Sequence, residues 1–523
     1  MEQAWHEHFY GEEEYAHKVF SNMRSVARSD DVQAAGGLYN PYYEEPWDTF
    51  RRPVSNPYGK GSSVIHMLRQ STGDDDVFWS ALKLFQERHR LSEVEADELR
   101  MCFEDLTGRD YEAFFRQWVY RPGAPHLDVN YDWDEAAKAV DLTFEQTQPI
   151  AAEYPAFTGP MEVWAVMKDG SVRRFTVDIS GRETRSQLAL GEEPQQLVVN
   201  PMNGMLSVLN YDPPLAMTMK QATDGPTAFA KLQAIERLAG SRDAKARETL
   251  VAILNDQERH WGQRDEAAAA LGRMNTAEAR DALLAAVKGG IEEPRVRRAA
   301  VEAVGNYRHE SVAAALLPMA REDASFQVEA AACAGLAKQA PSEEIVSVLL
   351  EKANGQSWGN RVRQAAVAAL ADMGEVRGLE PAMKLAGYGG PFRARGTGIE
   401  ALGKLYLVAD DGQKKQIREF LADLTDDPQD RHALGAIRTL GAMGDEQAVA
   451  PLQRVAEGSA PQGHREAARQ AIQQINEGGS ASSLVRDLRE RLERLEDARD
   501  AERAEQREKA QEGVPLPTTR RAA

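Results

Sequence analysis

Only two cysteines, Cys102 and Cys333, occur in 523 residues, too few for a disulfide framework. Each sits in an apolar helical context, which predicts a buried thiol. No run of about 18 apolar residues occurs, so the sequence offers no membrane span. Positive charge is scarce: 63 Lys and Arg face 82 Asp and Glu, a formal net charge of −19. A nucleic-acid binder usually shows a basic face, so this balance argues against that partner. The opening M-E-Q-A-W-H-E-H-F-Y lacks the basic-then-apolar order of a signal peptide. A soluble protein is expected, and its compartment is not written in the sequence. H-E-x-x-H, which sets two zinc-binding histidines on one helix face, is also missing.

What is present is long and modular. Apolar residues make up 42% and charged residues 28%, a balance that suits soluble globular domains. The length predicts roughly three or four of them, and the fold class is multidomain and mainly α. Composition changes three times along the chain. Residues 1–122 are aromatic-rich with helical periodicity. Trp79, Leu82, Leu84 and Phe85 mark one helix, whose start is favoured by Asp74–Asp76. Leu99, Met101, Cys102 and Leu106 mark another, and Tyr111, Phe114, Phe115 and Trp118 a third. P-G-A-P (Pro122–Pro125) stops the helices. Leu127, Val129, Tyr131 and Trp133 then alternate with polar residues, as do Val140, Leu142 and Phe144. K-D-G joins two more strands as a hairpin. About seven short strands over 126–213 predict a small β-sandwich.

From 218 to 478 a repeat takes over. Its matching apolar positions are Leu238, Leu271, Val304, Leu336, Leu370, Leu402, Leu440 and Ile472, spaced by 33, 33, 32, 34, 32, 38 and 32 residues. One helix pair cannot bury its apolar face alone, so a period of this size predicts an α-solenoid of about eight pairs. R-V-R-R-A-A-V-E-A-V-G at 295–305 and R-V-R-Q-A-A-V-A-A-L-A at 361–371 are the clearest copies, and they resemble HEAT-like repeats. Over 482–512 a charged helix is expected, with Val485, Leu488, Leu492 and Leu495 in a and d positions. A solvated helix and a short chain-pairing coiled coil are both open there. Residues 513–523 read as a disordered tail.

The segment that bears on chemistry is N-P-Y-G-K-G-S-S-V-I-H-M-L-R, residues 56–69. Tyr58-G-K-G followed by apolar Val64, Ile65, Met67 and Leu68 resembles the catalytic-tyrosine segment of the aminopeptidase N-like zinc metallopeptidases, the gluzincins of the membrane alanyl aminopeptidase family. T-G-D-D-D-V-F-W-S-A-L, V-E-A-D-E-L-R-M-C-F-E-D-L-T-G-R-D-Y-E-A-F-F-R-Q-W and P-G-A-P-H-L-D-V follow in the family's order. The resemblance covers residues 1 to about 210. It implies that residues 1–122 are the helical C-terminal part of a thermolysin-like catalytic domain. It further implies that Tyr58 is an oxyanion donor, with Lys60 and Gly61 shaping the turn and supporting the substrate cleft.

The family's zinc raises a difficulty. Catalytic zinc needs three protein ligands and an open position. Besides H-E-x-x-H, the family supplies a Glu from an N-E-G-F-A-x-Y-x-E stretch. Glu2 resembles the last Glu of that stretch, so the ligand position would fall before Met1. His6-Glu7-His8 has H-E, but Tyr10 stands where the second His belongs, and His6 and His8 face different sides of a helix. His17, His66 and His89 show no ligand spacing, and His66 reads as a core histidine. The Tyr39–Asp48 stretch is a loop by its prolines, lining a cleft or simply packing.

Two readings stand. The chain is part of a zinc aminopeptidase that cleaves N-terminal peptide bonds, inactive alone and holding no catalytic zinc itself. Alternatively, it is a non-catalytic interaction protein whose solenoid binds a protein or peptide, with a relict peptidase domain attached.

Overall fold

The computed structural model describes residues 2–29, 36–39 and 56–477. The expected charged helix, the tail and most of the Tyr39–Asp48 loop lie outside the described residues. Two compact units divide the chain, Met1–Tyr307 and Arg308–Ala523.

The first unit opens with six helices: α1 (Glu2–Tyr10), α2 (Glu12–Ser29), α3 (Gly59–Thr72), α4 (Asp75–Arg88), α5 (Ala96–Thr107) and α6 (Glu112–Trp118). In α2 the buried residues Tyr15, Ala16, Val19, Phe20, Met23, Val26 and Ala27 recur at helical spacing and form one apolar face. The Asp74 carboxylate accepts the Asp76 N–H at 2.8 Å and caps α4. That helix buries Phe78 and Ala81, whereas Leu82, Leu84 and Phe85 stay half-buried and Trp79 is exposed. The buried face is thus offset from the residues that marked the helix, because Phe78 turns toward Phe103 of α5. Cys102 and Cys333 are both buried free thiols.

Seven strands follow: β1 (His126–Asp134), β2 (Ala139–Gln146), β3 (Gly159–Val166), β4 (Val172–Ile179), β5 (Glu183–Ala189), β6 (Gln196–Val199) and β7 (Val208–Tyr211). They form two sheets, ordered β5-β2-β1-β7 and β4-β3-β6. Leu127, Val129, Leu142 and Phe144 of one sheet share a buried core with Met161, Val163, Ala165 and Val177 of the other. The β3–β4 hairpin turns at K-D-G, where Gly170 has φ +84°. β7 pairs with β1 in parallel, His126 opposite Val208 and Val129 opposite Tyr211.

Three helix pairs complete the unit: α7 (Leu215–Asp224) with α8 (Ala228–Leu238), α9 (Ala244–Asn255) with α10 (Trp261–Met274), and α11 (Ala277–Lys288) with α12 (Pro294–Val304).

Among the described residues the second unit holds five pairs: α13 (Glu310–Arg321) with α14 (Phe326–Leu336), α15 (Glu343–Asn354) with α16 (Arg361–Asp372), α17 (Leu379–Ala386) with α18 (Arg395–Tyr406), α19 (Asp411–Asp423) with α20 (Asp430–Met443), and α21 (Val449–Glu457) with α22 (Gln462–Asn476). Each repeat position falls in the second helix of its pair. Leu238, Leu271, Val304, Leu336, Leu370, Leu402 and Leu440 are fully buried. Ile472 is only half-buried, and Ala471 and Ile475 take the core positions in α22. The longer gap before Leu440 is filled by the 13 residues of α19 and a 3-10 turn at Leu424–Asp426. Small residues let helices meet: a Cβ on Gly398 would lie 2.6 Å from the Ala386 nitrogen and 2.7 Å from the Ala382 oxygen.

Candidate functional site

Tyr58 stands immediately before α3 and is 75% exposed. Its main chain is held on both sides. The Asn56 side chain accepts the N–H groups of Tyr58 at 3.0 Å and Gly59 at 3.1 Å. This is the turn that an Asn before proline favours. From α2, the Asn22 amide lies 2.9 Å from the Gly59 carbonyl and near the Ser62 and Ser63 hydroxyls. Gly59 itself is tight: a Cβ there would sit 2.7 Å from a Val26 methyl. An exposed ring therefore rises from a main chain tied to α2.

Lys60, expected to shape the turn, is fully buried. Its ammonium donates to the Arg121 carbonyl at 2.8 Å and reaches the Gly123 carbonyl at 3.3 Å. The side chain therefore braces α3 against the P-G-A-P exit. Gly61 is partly exposed, and an added Cβ would meet nothing within 4 Å. Of the three residues picked out in sequence, Tyr58 lies at the surface, Lys60 inside and Gly61 between. Asn22, Asn56 and Gly59 complete the arrangement. The Asn-Pro pair announced Asn56, whereas nothing local marked Asn22.

Toward the other end of α3, His66 is buried. Its Nε2 lies 2.9 Å from the Met202 carbonyl and its Nδ1 lies 2.7 Å from the Tyr15 hydroxyl. The Nε2–H tautomer fits both contacts, donating to the carbonyl and accepting from the phenol. Burial pushes its pKa down to about 4. Glu7, the acidic residue of His6-Glu7-His8, is held by Arg69 at 2.6 Å and 3.2 Å. Arg69 also binds Asp75 at 2.7 Å and lies 5.0 Å over the Tyr15 ring. His6 is partly buried and His8 is exposed, as expected for residues two apart on a helix.

Two of the cavities among the described residues of this unit bear on the site. One of about 90 Å³ is bounded by residues that include Phe20, Arg24, Gln233 and Arg237. One of about 330 Å³ is bounded by residues that include Glu7, Tyr15, Arg69 and Phe229. Tyr58 lines neither of them. Among the described residues, no group of three His, Cys, Asp or Glu side chains could hold a metal ion. The described residues do not supply the donor set of a catalytic zinc. Among the described residues, no helix is long and apolar enough to cross a membrane.

Residues 1–118 match the Peptidase family M1 domain. Residues 257–337 and 313–403 match HEAT repeats, and residues 433–458 match the PBS lyase HEAT-like repeat. Aminopeptidase N of Lactococcus lactis subsp. lactis is 25% identical over 208 residues, 38% of this chain and 23% of that protein. Aminopeptidase N of Escherichia coli (strain K12) is 29% identical over 96 residues, 18% of this chain and 11% of that protein. Aminopeptidase N of Lactococcus lactis subsp. cremoris (strain MG1363) is 38% identical over 68 residues, 13% of this chain and 8% of that protein. The matched stretch thus spans less than a quarter of each of these relatives. The crystal structure of Legionella pneumophila aminopeptidase A in complex with aspartic acid superposes with a TM-score of 0.56 at 12% identity, covering 83% of this chain and 58% of that one. That likeness concerns the fold. The chain carries an aminopeptidase N-like region together with HEAT repeats.

Proposed function

We propose that residues 1–118 contribute the tyrosine-bearing part of an aminopeptidase-type zinc metallopeptidase that hydrolyses N-terminal peptide bonds, and that this polypeptide alone does not turn over. The observation that carries the reading is Tyr58, an exposed phenol on a main chain fixed by Asn22 and Asn56. A phenol is a neutral donor. Its hydrogen bond strengthens as negative charge grows on a carbonyl oxygen under attack, so it favours the transition state over the ground state. Lys60 acts as a brace beneath it, and Gly61 leaves the adjoining surface open. Zinc and its ligands belong to the parent enzyme and have no counterpart in this sequence.

The test has two parts. The purified chain is assayed for bound zinc and for release of fluorophore from an aminoacyl-coumarin. It is then assayed again after mixing with a polypeptide that carries the H-E-x-x-H half of an M1 aminopeptidase. Substoichiometric zinc, no turnover alone and Tyr58-dependent turnover in the mixture are expected. Stoichiometric zinc and turnover by the chain alone would overturn the reading. The second reading, an interaction protein with a relict peptidase domain, draws on the extent of the HEAT repeats, and it gains if the mixture stays inactive.

A further inference from the structure

The buried leucines of the repeat set a register that exposes a second pattern. Ten positions before Leu271, Leu336 and Leu402 stand Trp261, Phe326 and Phe392. Nine positions before Val304, Leu370, Leu402 and Leu440 stand Arg295, Arg361, Arg393 and Arg431. The start of the second helix in successive pairs thus repeats an aromatic or an arginine at fixed places.

In the first unit this register is in use. The Arg295 guanidinium lies 4.1 Å over the Trp261 ring, an arginine of one pair on the aromatic of the pair before. Together they receive Glu14 of α2. The Trp261 indole N–H donates to the Glu14 carboxylate at 2.6 Å, and Arg295 stands 3.9 Å from the same oxygen. Gln263 donates to Glu13 at 2.8 Å. An acidic helix start is therefore held by an aromatic–arginine pair drawn from consecutive repeats.

The second unit shows the same pairing with no helix on it among the described residues. Arg431 lies 5.8 Å over the Phe392 ring, again one repeat onward. Phe326 packs 5.1 Å from Trp358. Trp358 is 73% exposed, Tyr388 54% and Phe392 50%. Arg361, Arg393 and Arg431 are exposed as well. The starts of α16 and α18 lie side by side, since Thr397 donates to Gln364 at 3.3 Å. Residues 355–363 (G-Q-S-W-G-N-R-V-R) and 387–395 (G-Y-G-G-P-F-R-A-R) hold no acidic residue, in a chain of net charge −19. Among the acidic neighbours, Asp430 stands 3.4 Å from His464, and burial, followed by the charges of Asp423, Asp427 and Asp426, pushes the Tyr388 phenol up. Asp427 is taken by Arg395 at 2.5 Å.

We propose that this edge of the second unit docks an acidic helix of a partner protein, its first-turn glutamates seated between an aromatic ring and an arginine of consecutive repeats, as Glu14 is seated on Trp261 and Arg295. The inference does not rest on the peptidase reading, because Glu14 enters it only as the template of a contact and not through any catalytic role.

The experiment measures fluorescence anisotropy of a fluorescein-labelled peptide with the sequence of Glu12–Ser29, titrated with the full chain. Saturable binding that weakens with added salt is expected. Binding should fall at least about tenfold in R361E/R393E/R431E and in W358A/F392A. A peptide with Gln in place of Glu12, Glu13 and Glu14 should bind as poorly. The substituted side chains are exposed, so the thermal melts of the variants should match the parent. Absence of saturable binding, or equal binding by the arginine variant, would overturn the proposal. So would tighter binding of a single-stranded RNA oligonucleotide at the same edge, which would assign it to nucleic acid.

Discussion

The ammonium of Lys60 donates to the carbonyl of Arg121 across 61 positions of sequence, from a side chain with no exposed surface. Removing it takes a buried charged donor away from the Arg121 and Gly123 carbonyls at the exit of the helical region. Lys60→Met should cost about 2–4 kcal/mol, the range for breaking a buried charge-assisted hydrogen bond. A shift of the urea midpoint measures it, and a loss below about 0.5 kcal/mol would show that the brace carries no weight.

Tyr58 should behave in the opposite way. Tyr58→Phe removes only a hydroxyl from a largely exposed ring, so the melting temperature should not move. In the reconstituted mixture, turnover should fall by roughly 10²–10³, as for loss of one oxyanion donor. An unchanged rate would remove the assigned role.

Stability should decline in mild acid. Burial pushes His66 and His17 each down to about 4. A folded-state value below the unfolded one means that the fold prefers the neutral ring. The contribution is therefore complete above about 6.5 and is lost as pH falls from there toward about 4. At pH 5 each histidine should cost on the order of 2 kcal/mol relative to pH 7. His66→Gln should flatten its own share of that slope in urea titrations at the two pH values, the rest staying with His17 and with His260 and His432, which burial also pushes down, and an unchanged slope would refute the assignment.

Arg395 anchors the second unit. Its guanidinium donates to the Ala386 carbonyl at 2.8 Å, lies 3.1 Å from His432 Nδ1 and binds buried Asp427 at 2.5 Å. Arg395→Met leaves a buried carboxylate without its cation and should cost about 3–5 kcal/mol. Adding Asp427→Asn should recover part of that loss, a coupling that a double-mutant cycle reads directly. Additive losses would deny the pair.

Gly398→Ala tests the closeness of the helices in the same unit. The new methyl would meet the Ala382 and Ala386 main chain, which cannot move aside as a side chain could. A loss of about 1–3 kcal/mol is expected in thermal melts, against a gain had the site been open.

Much of this architecture can be read from single residues. The buried leucines recur at a period that only stacked helix pairs explain, and strands such as β1 alternate because one face is wet, whereas β6 is buried throughout. What could not be read depends on partners distant in sequence. A lysine in a helix reads as a surface residue, and the carbonyls that Arg121 and Gly123 turn toward buried Lys60 lie 61 and 63 positions away. The inward turn of Phe78 rather than Trp79 follows from the position of Phe103. Asn22 looks like any polar residue until Gly59 is placed beside it. Tyr58 was legible through its neighbours Gly59 and Lys60, although the main-chain ties that hold it were not.

The parallel pairing of β1 with β7 has a consequence for chain entropy. His126 lies beside Val208, so the chain leaves the sandwich within about 13 Å of where it entered, the length of the four-residue strand β7. Arg28 and Glu236 meet at 2.8 Å although 208 positions separate them. A disordered loop of that length would charge its closure entropy to the α2–α8 contact. The folded sandwich replaces much of that loop with a short rigid link. Loosening the sandwich should therefore be felt at a junction that its own strands do not form.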